Sequence, residues 1–129
     1  MGKRNMEIIE FEIGGHAIKF ECDSRKNPMG FVHCATMYVD GLKCNSGRIQ
    51  YYNRTWEAWC YQSVCLQRCS SVIESREAQL KSEFKLDRGL SSVRGANKEE
   101  LQKIIDADSY VVLMKKIKDH LNTCNYGGW

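Results

Sequence analysis

The first fifty residues alternate between apolar and polar positions. In EIIEFEI (7–13), Ile8, Glu10 and Glu12 fall on one face and Ile9, Phe11 and Ile13 on the other. That is the period of a strand with one buried face. HAIKFEC (16–22) follows after Gly14-Gly15, the two-residue spacing of a tight hairpin. DSRKNP (23–28) is polar and ends in the only proline, which predicts a loop. GFVHCATMYV (30–39) has the β-branched and aromatic content of a third strand. Asp40-Gly41 turns the chain into LKC, and Asn45-Ser46-Gly47 predicts another turn before RIQYY (48–52).

From Asn53 the period changes. Tyr61, Cys65, Cys69, Ile73, Leu80 and Phe84 recur at intervals of four and once seven, the stripe of an amphipathic helix. Asn53 or Thr55 can cap its start, and Gly89 stands where a helix ends in a left-handed residue. A helix over 54–88 would be ~50 Å long, while a domain of this size has a radius of gyration of ~14 Å. The helix overshoots the domain, so a kink or a second copy of the chain must cover what protrudes; a dimer built on this helix is expected. After LSSVRGA (90–96), Asn97 with Glu100 predicts a capping box for a short helix, LQKII. Asp106 or Asp108 can cap a third helix, whose apolar stripe is Tyr110, Leu113, Met114, Ile117 and Leu121. The expected fold is α+β: an N-terminal antiparallel β-meander of four to five strands, then a long helix and two short C-terminal helices. One domain over 1–129 fits the length.

Composition narrows the function. Hydrophobic residues make up 43% and charged residues 27%, which excludes a disordered chain. Nineteen Lys and Arg against sixteen Asp and Glu leave a net charge of +3. A duplex-binding domain would carry a denser basic stripe, so a nucleic-acid partner is not expected. A small anionic ligand needs only two or three well-placed cations. The seven cysteines are odd in number, and MGKRNMEIIE carries charge where a secretion signal would be apolar. A cytoplasmic protein with free thiols is expected. No apolar run reaches the ~20 residues of a membrane span.

Specific chemistry is sparse. Cys65 and Cys69 lie four apart on the helix, with Cys60 near, but no second pair at zinc spacing accompanies them. No metal is expected, and free cysteine packs as a small hydrophobe. No G-x-S-x-G, phosphate-loop lysine or His-Glu-x-x-His motif occurs, so neither an enzyme nor a cofactor is indicated. YYNRTWEAWCYQSVC (51–65) concentrates the large aromatics. Trp56 and Trp59 lie on different sides of the helix, and a helix that is apolar all round is buried all round. Core or interface is therefore the reading for Trp56, Trp59 and Tyr61. Arg54, in the first turn, suits either a ligand or a neighbouring carboxylate. In EFKLDRGLSSVRGAN (83–97), Arg88 and Arg94 each precede a glycine, and Phe84 lies close by. Guanidinium forks match phosphate oxygens in pairs, and an aromatic ring can stack on a base. A helix end whose cationic last turn complements the helix dipole explains the same residues equally well. The full candidate ligand-binding set is Phe31, Arg54, Trp56, Phe84, Arg88 and Arg94.

The order of features (strand meander, YYNRTWEAWCYQSV opening a long helix, EFKLDRG, short helical tail) resembles the phage Thoeris anti-defence proteins of the sponge type. The resemblance spans most of the chain. It implies a cytoplasmic homo-oligomer built from dimers that sequesters the immune signal glyco-cyclic ADP-ribose without cleaving it. Some members are also credited with trapping cyclic oligonucleotides at a separate site. On that reading Arg88 and Arg94 hold the diphosphate, Phe84 covers the adenine, and Ser91 or Ser92 reaches a ribose. NYGGW would be a lid, with Tyr126 or Trp129 as its aromatic. The alternative is a phage accessory protein that inhibits a host defence protein or nuclease by direct binding, with the long helix as its contact surface.

Overall fold

The computed structural model describes residues 5–51 and 59–123. Four strands, β1 (Asn5–Ile13), β2 (His16–Asn27), β3 (Gly30–Val39) and β4 (Leu42–Tyr51), precede three helices, α1 (Trp59–Arg88), α2 (Ala96–Ala107) and α3 (Ser109–Thr123). The strands form one antiparallel sheet in the order β1-β2-β3-β4. This is the expected α+β fold, with four strands in the meander.

Two hairpins close as their dipeptides predict. Gly14 and Gly15 have φ of 59° and 81°, and Asp40 and Gly41 have φ of 52° and 82°. A two-residue turn with two left-handed residues matches the twist of the flanking strands. Asp40, the only non-glycine among them, is held by its own carboxylate. Oδ1 accepts from Ala17 N at 2.9 Å, and Oδ2 meets His16 Nδ1 at 2.7 Å.

Two expected breaks are absent. Residues 23–27 are not a loop but the end of β2, paired with β1 through Asp23 and Ser24 and with β3 through all five. Polar residues alternate there as apolar ones do elsewhere: Ser24 is buried and shares a 3.2 Å hydrogen bond with the Tyr61 hydroxyl, while Arg25 faces solvent. The turn moves on to Pro28-Met29. Asn45-Ser46-Gly47 is likewise no turn but the middle of β4, with Gly47 opposite Ala35. Gly47 serves close approach instead. A Cβ there would overlap the Arg68 guanidinium.

The inner sheet face carries Ile9, Ile18, Phe20, Cys22, Ala35 and Met37, all buried in one cluster with α1 residues Tyr61, Val64, Cys65 and Cys69. α1 packs on β3 and β4, and α3 lies against α1 and reaches β1. Val111, Met114, Ile117 and Leu121 of α3 complete the core, with no exposed surface between them. α1 is described over 30 residues, ~45 Å at 1.5 Å per residue, and its far half does run past the sheet. The cover comes from the same chain, because α2 folds back and brings Leu101 and Ile105 into one cluster with Leu80 and Phe84. A kink or second copy is therefore not needed to bury the stripe. Gly89, with φ of 62°, ends α1, and Leu90 N donates to Lys85 O at 2.8 Å, the six-to-one bond of a Schellman motif.

The capping box at Asn97 does not form. α2 begins at Ala96 after Gly95, with no side-chain cap, and Glu100 turns back to Arg88 instead. Asp108 does cap α3, its Oδ2 accepting from Val111 N at 3.1 Å. Asn53, Arg54, Thr55, Trp56 and the NYGGW tail lie outside the described residues. No described helix is long and apolar enough to cross a membrane.

Candidate functional site

The expected ligand residues fall in separate places. Phe31 is half-buried near the start of β3, its ring 6.1 Å from that of His33, which meets Tyr61 edge-on at 6.0 Å. Phe84 is 5% exposed, and the Arg88 guanidinium lies 4.2 Å over its ring. Arg88 also forks Glu100, Nη1 to Oε2 at 2.7 Å and Nη2 to Oε1 at 2.5 Å. The contact holds the Glu100 carboxyl below its usual range. The ring that was to cover a base is thus already covered, and the fork that was to hold a phosphate already holds a carboxylate. A recess of about 190 Å³ beside them includes Phe84 and Arg88 but neither Phe31 nor Arg94, and adds Glu83 and Asp87. Two carboxylates there oppose an anion. Arg94, Ser91 and Ser92 are exposed in the α1–α2 connection.

A better-formed cleft runs along β4, the strand at one margin of the sheet. Its larger part, about 540 Å³, is lined by Val39, Leu42 and Leu113 on the apolar side and by His16, Asp40, Lys43, Cys44, Ser109 and Tyr110 on the polar side. A smaller part of about 210 Å³ adjoins it through Cys44 and Tyr110 and adds Asn45, Val72, Ser75, Arg76 and Gln79. β3 and β4 supply one wall, α1 the second and the first turn of α3 the third.

Asp108 ties those helices together. While capping α3 it takes both ends of the Arg76 fork, from Nε at 3.1 Å and Nη2 at 2.8 Å. The Arg76 guanidinium, followed by burial acting the other way and the Val111 amide, holds the Asp108 carboxyl below its usual range. At the centre, Tyr110 donates its hydroxyl to Cys44 Sγ at 3.2 Å. Burial, then the Cys44 contact, pushes the phenol up to about 12, so it remains a hydrogen-bond donor at neutral pH.

A depression of about 450 Å³ on the open sheet face includes Glu10, Glu12, Lys19 and Tyr38. Its one cation is engaged: Lys19 Nζ sits 4.7 Å over the Tyr38 ring. With two carboxylates beside that lysine, the depression suits an anion less than the β4 cleft, whose larger part has a single lining carboxylate, Asp40, met by His16, and Lys43 on its polar side.

Three of the described thiols, Cys34, Cys65 and Cys69, are unsuited to nucleophilic work. Burial pushes Cys69 up to about 12 and raises Cys34, while Cys65 is raised first by its contact with Cys22, at 3.5 Å, and then by burial. A protonated thiol neither attacks nor ligates well. Among the described residues no group of three His, Cys, Asp or Glu side chains could hold a metal ion.

Sequence reasoning gave Arg68, Arg76 and Cys44 no role, read Asn45 only as a turn residue, and assigned Tyr110 only to a packing stripe. One signal was present: Arg68 stands between Val64 and Val72 at helical spacing, a charge in a buried row, and it is 8% exposed. No protein family, curated protein or solved structure matches this chain.

Proposed function

We propose that the chain is a binding protein that seats a phosphate-bearing cyclic nucleotide of the cyclic ADP-ribose type in the β4 cleft and releases it uncleaved. The reading follows the resemblance to sponge-type Thoeris anti-defence proteins, which implies action in the cytoplasm of an infected cell. The observation that carries it is the cleft. A recess of about 540 Å³, with an apolar wall and converging Lys43, Ser109 and Tyr110, suits a ligand of that size. The Tyr110 hydroxyl, its hydrogen bond donated to Cys44 Sγ and its phenol pushed up to about 12, presents the ligand an acceptor and not a phenolate, which supports retention over turnover. Self-association belongs to the same proposal. Met6 and Ile8, at 65% and 57% exposed on β1, supply apolar surface for it.

Calorimetry with cyclic ADP-ribose tests the reading, using wild type, Tyr110→Phe, Arg88→Ala and Arg94→Ala. One site per protomer is expected. Loss of the Tyr110 hydroxyl should weaken binding about fivefold, the worth of one neutral hydrogen bond, with both arginine variants near wild type. Loss of binding in the arginine variants alone would move the seat to the α1–α2 connection. No heat from any nucleotide would favour direct binding of a host protein.

A further inference from the structure

Arg68 is a charge without an answering charge. It lies on α1 one turn before Val72, just outside the lining of the smaller recess, on the helix face that Ser75, Arg76 and Gln79 continue along it. The side chain is 8% exposed. Its guanidinium is pressed under the backbone of β4, where only the absence of a side chain at Gly47 leaves room. Of its donors, Nη1 reaches Asn45 Oδ1 at 3.0 Å, and Nε has no partner. No carboxylate pairs with it among the described residues, whereas Arg76, two turns on, is matched by Asp108.

Guanidinium cannot relieve this by losing its proton. A buried charge held by one neutral amide is unfavourable, and burial of this kind persists where something else supplies the counter-charge. Lys118 and Arg68 both act to lower the Cys69 thiol against its burial, so two cations bear on that part of the core. Asn45 links the guanidinium to the cleft, because it lines the recess while accepting from Arg68. With Oδ1 taken by Arg68, the nitrogen end of that amide is the one left to meet a ligand.

We infer that Arg68 and Asn45 form an oxyanion receptor at the end of the β4 cleft, and that it takes a phosphate group. The smaller recess, about 210 Å³, has room for a diphosphate but not for a whole nucleotide, whose body would occupy the adjoining 540 Å³. This rests on the proposed function for the ligand's body and stands apart from it for the phosphate.

The test uses inorganic pyrophosphate as probe, at constant ionic strength set with sodium chloride so that general screening is the same in every sample. Wild type, Arg68→Met and Asn45→Asp are compared by thermal unfolding and calorimetry. The Arg68→Met change keeps the length of the side chain without its charge, and Asn45→Asp places a permanent carboxylate on the fork. Wild-type Tm should climb with pyrophosphate, as it must for a ligand that binds only the folded state. Both variants should melt higher than wild type without the probe. Both should lose the climb, with affinity weakened about thirtyfold or more.

A wild type indifferent to pyrophosphate, or an Asn45→Asp protein that responds as wild type does, overturns the receptor. Should Arg68→Met fail to fold, Asn45→Asp decides alone. Cyclic ADP-ribose run in parallel separates the two proposals. Response to pyrophosphate with none to the cyclic nucleotide removes the nucleotide and leaves the receptor. Equal binding of the nucleotide by wild type and Asn45→Asp does the reverse.

Discussion

At the scale of single residues, three side chains show how position overrides type. Gly47 reads as a turn residue because Asn and Ser precede it, yet it is a gap cut for Arg68. Gly47→Ala should destabilise the protein by about 1–3 kcal/mol, the usual range for overpacking, as measured by urea unfolding. In an Arg68→Ala background the same change should be nearly neutral, since sites in contact couple and the clash is then gone. An equal loss in both backgrounds would mean that the glycine is needed for backbone freedom. His33 is 1% exposed, and burial lowers its pKa from the ordinary value. The unfolded chain therefore takes up a proton near pH 6.5 that the native histidine refuses. This contribution is full above pH ~6.5 and is lost as pH falls through the depressed native value. Tm should fall between pH 7 and 5, and fall less in His33→Gln. Matching pH profiles would show that other groups carry the loss. The depressed carboxyls of Asp108 and Glu100 act lower, their stabilisation being lost below their unfolded values near pH 4. None of this is visible in sequence, where a histidine in a strand carries no record of its burial.

Among the elements, the pattern reads well wherever periodicity and burial agree. The stripe from Tyr61 to Phe84 and the stripe of α3 are buried as their spacing requires, with Tyr110 half-buried. Both glycine-containing hairpins close where their dipeptides stand. Reading fails where polar residues serve a strand or where one motif has two uses. Residues 23–27 look like a loop because strands are commonly apolar, but ladder hydrogen bonds hold a strand whatever its composition, here from β3 along all five residues and from β1 as well at Asp23 and Ser24. Asn97 and Glu100 spell a capping box, yet Glu100 gains more from a bidentate guanidinium than from one amide. Asn97→Ala should thus change stability by less than ~0.5 kcal/mol. Asp108→Ala should cost about 2 kcal/mol, because it removes a cap and leaves Arg76 unmatched. The two variants differ most clearly in denaturant midpoint; equal midpoints would contradict the assignment of the caps. Phe84→Ala, at a site 5% exposed, should cost about 3 kcal/mol. Such a loss would mark the α1–α2 contact as part of the cooperative core.

For the whole molecule, the meander and the helices are legible one by one, but the cleft is not. It exists because β4 ends the sheet, because α1 outruns the strands, and because Asp108 fixes where α3 begins. Its walls come from residues 16, 39–45, 72–79 and 109–113, which no local pattern associates. The stretch carrying Arg88 and Arg94 is conspicuous in sequence because two Arg-Gly pairs stand six residues apart. In the fold, Arg88 is occupied by Glu100 and Phe84. Arg68 drew no notice because an isolated arginine in an apolar stripe has no motif, although that isolation is what makes it costly to bury.

The central claim is capture without conversion. Wild-type protein is titrated into cyclic ADP-ribose in a calorimeter, and the saturated complex is then heat-denatured and its small molecules separated by chromatography. Saturable heat at micromolar concentration or below, one ligand per protomer and full recovery of the intact cyclic nucleotide are predicted. No heat, or recovery of linear ADP-ribose in its place, would contradict the account.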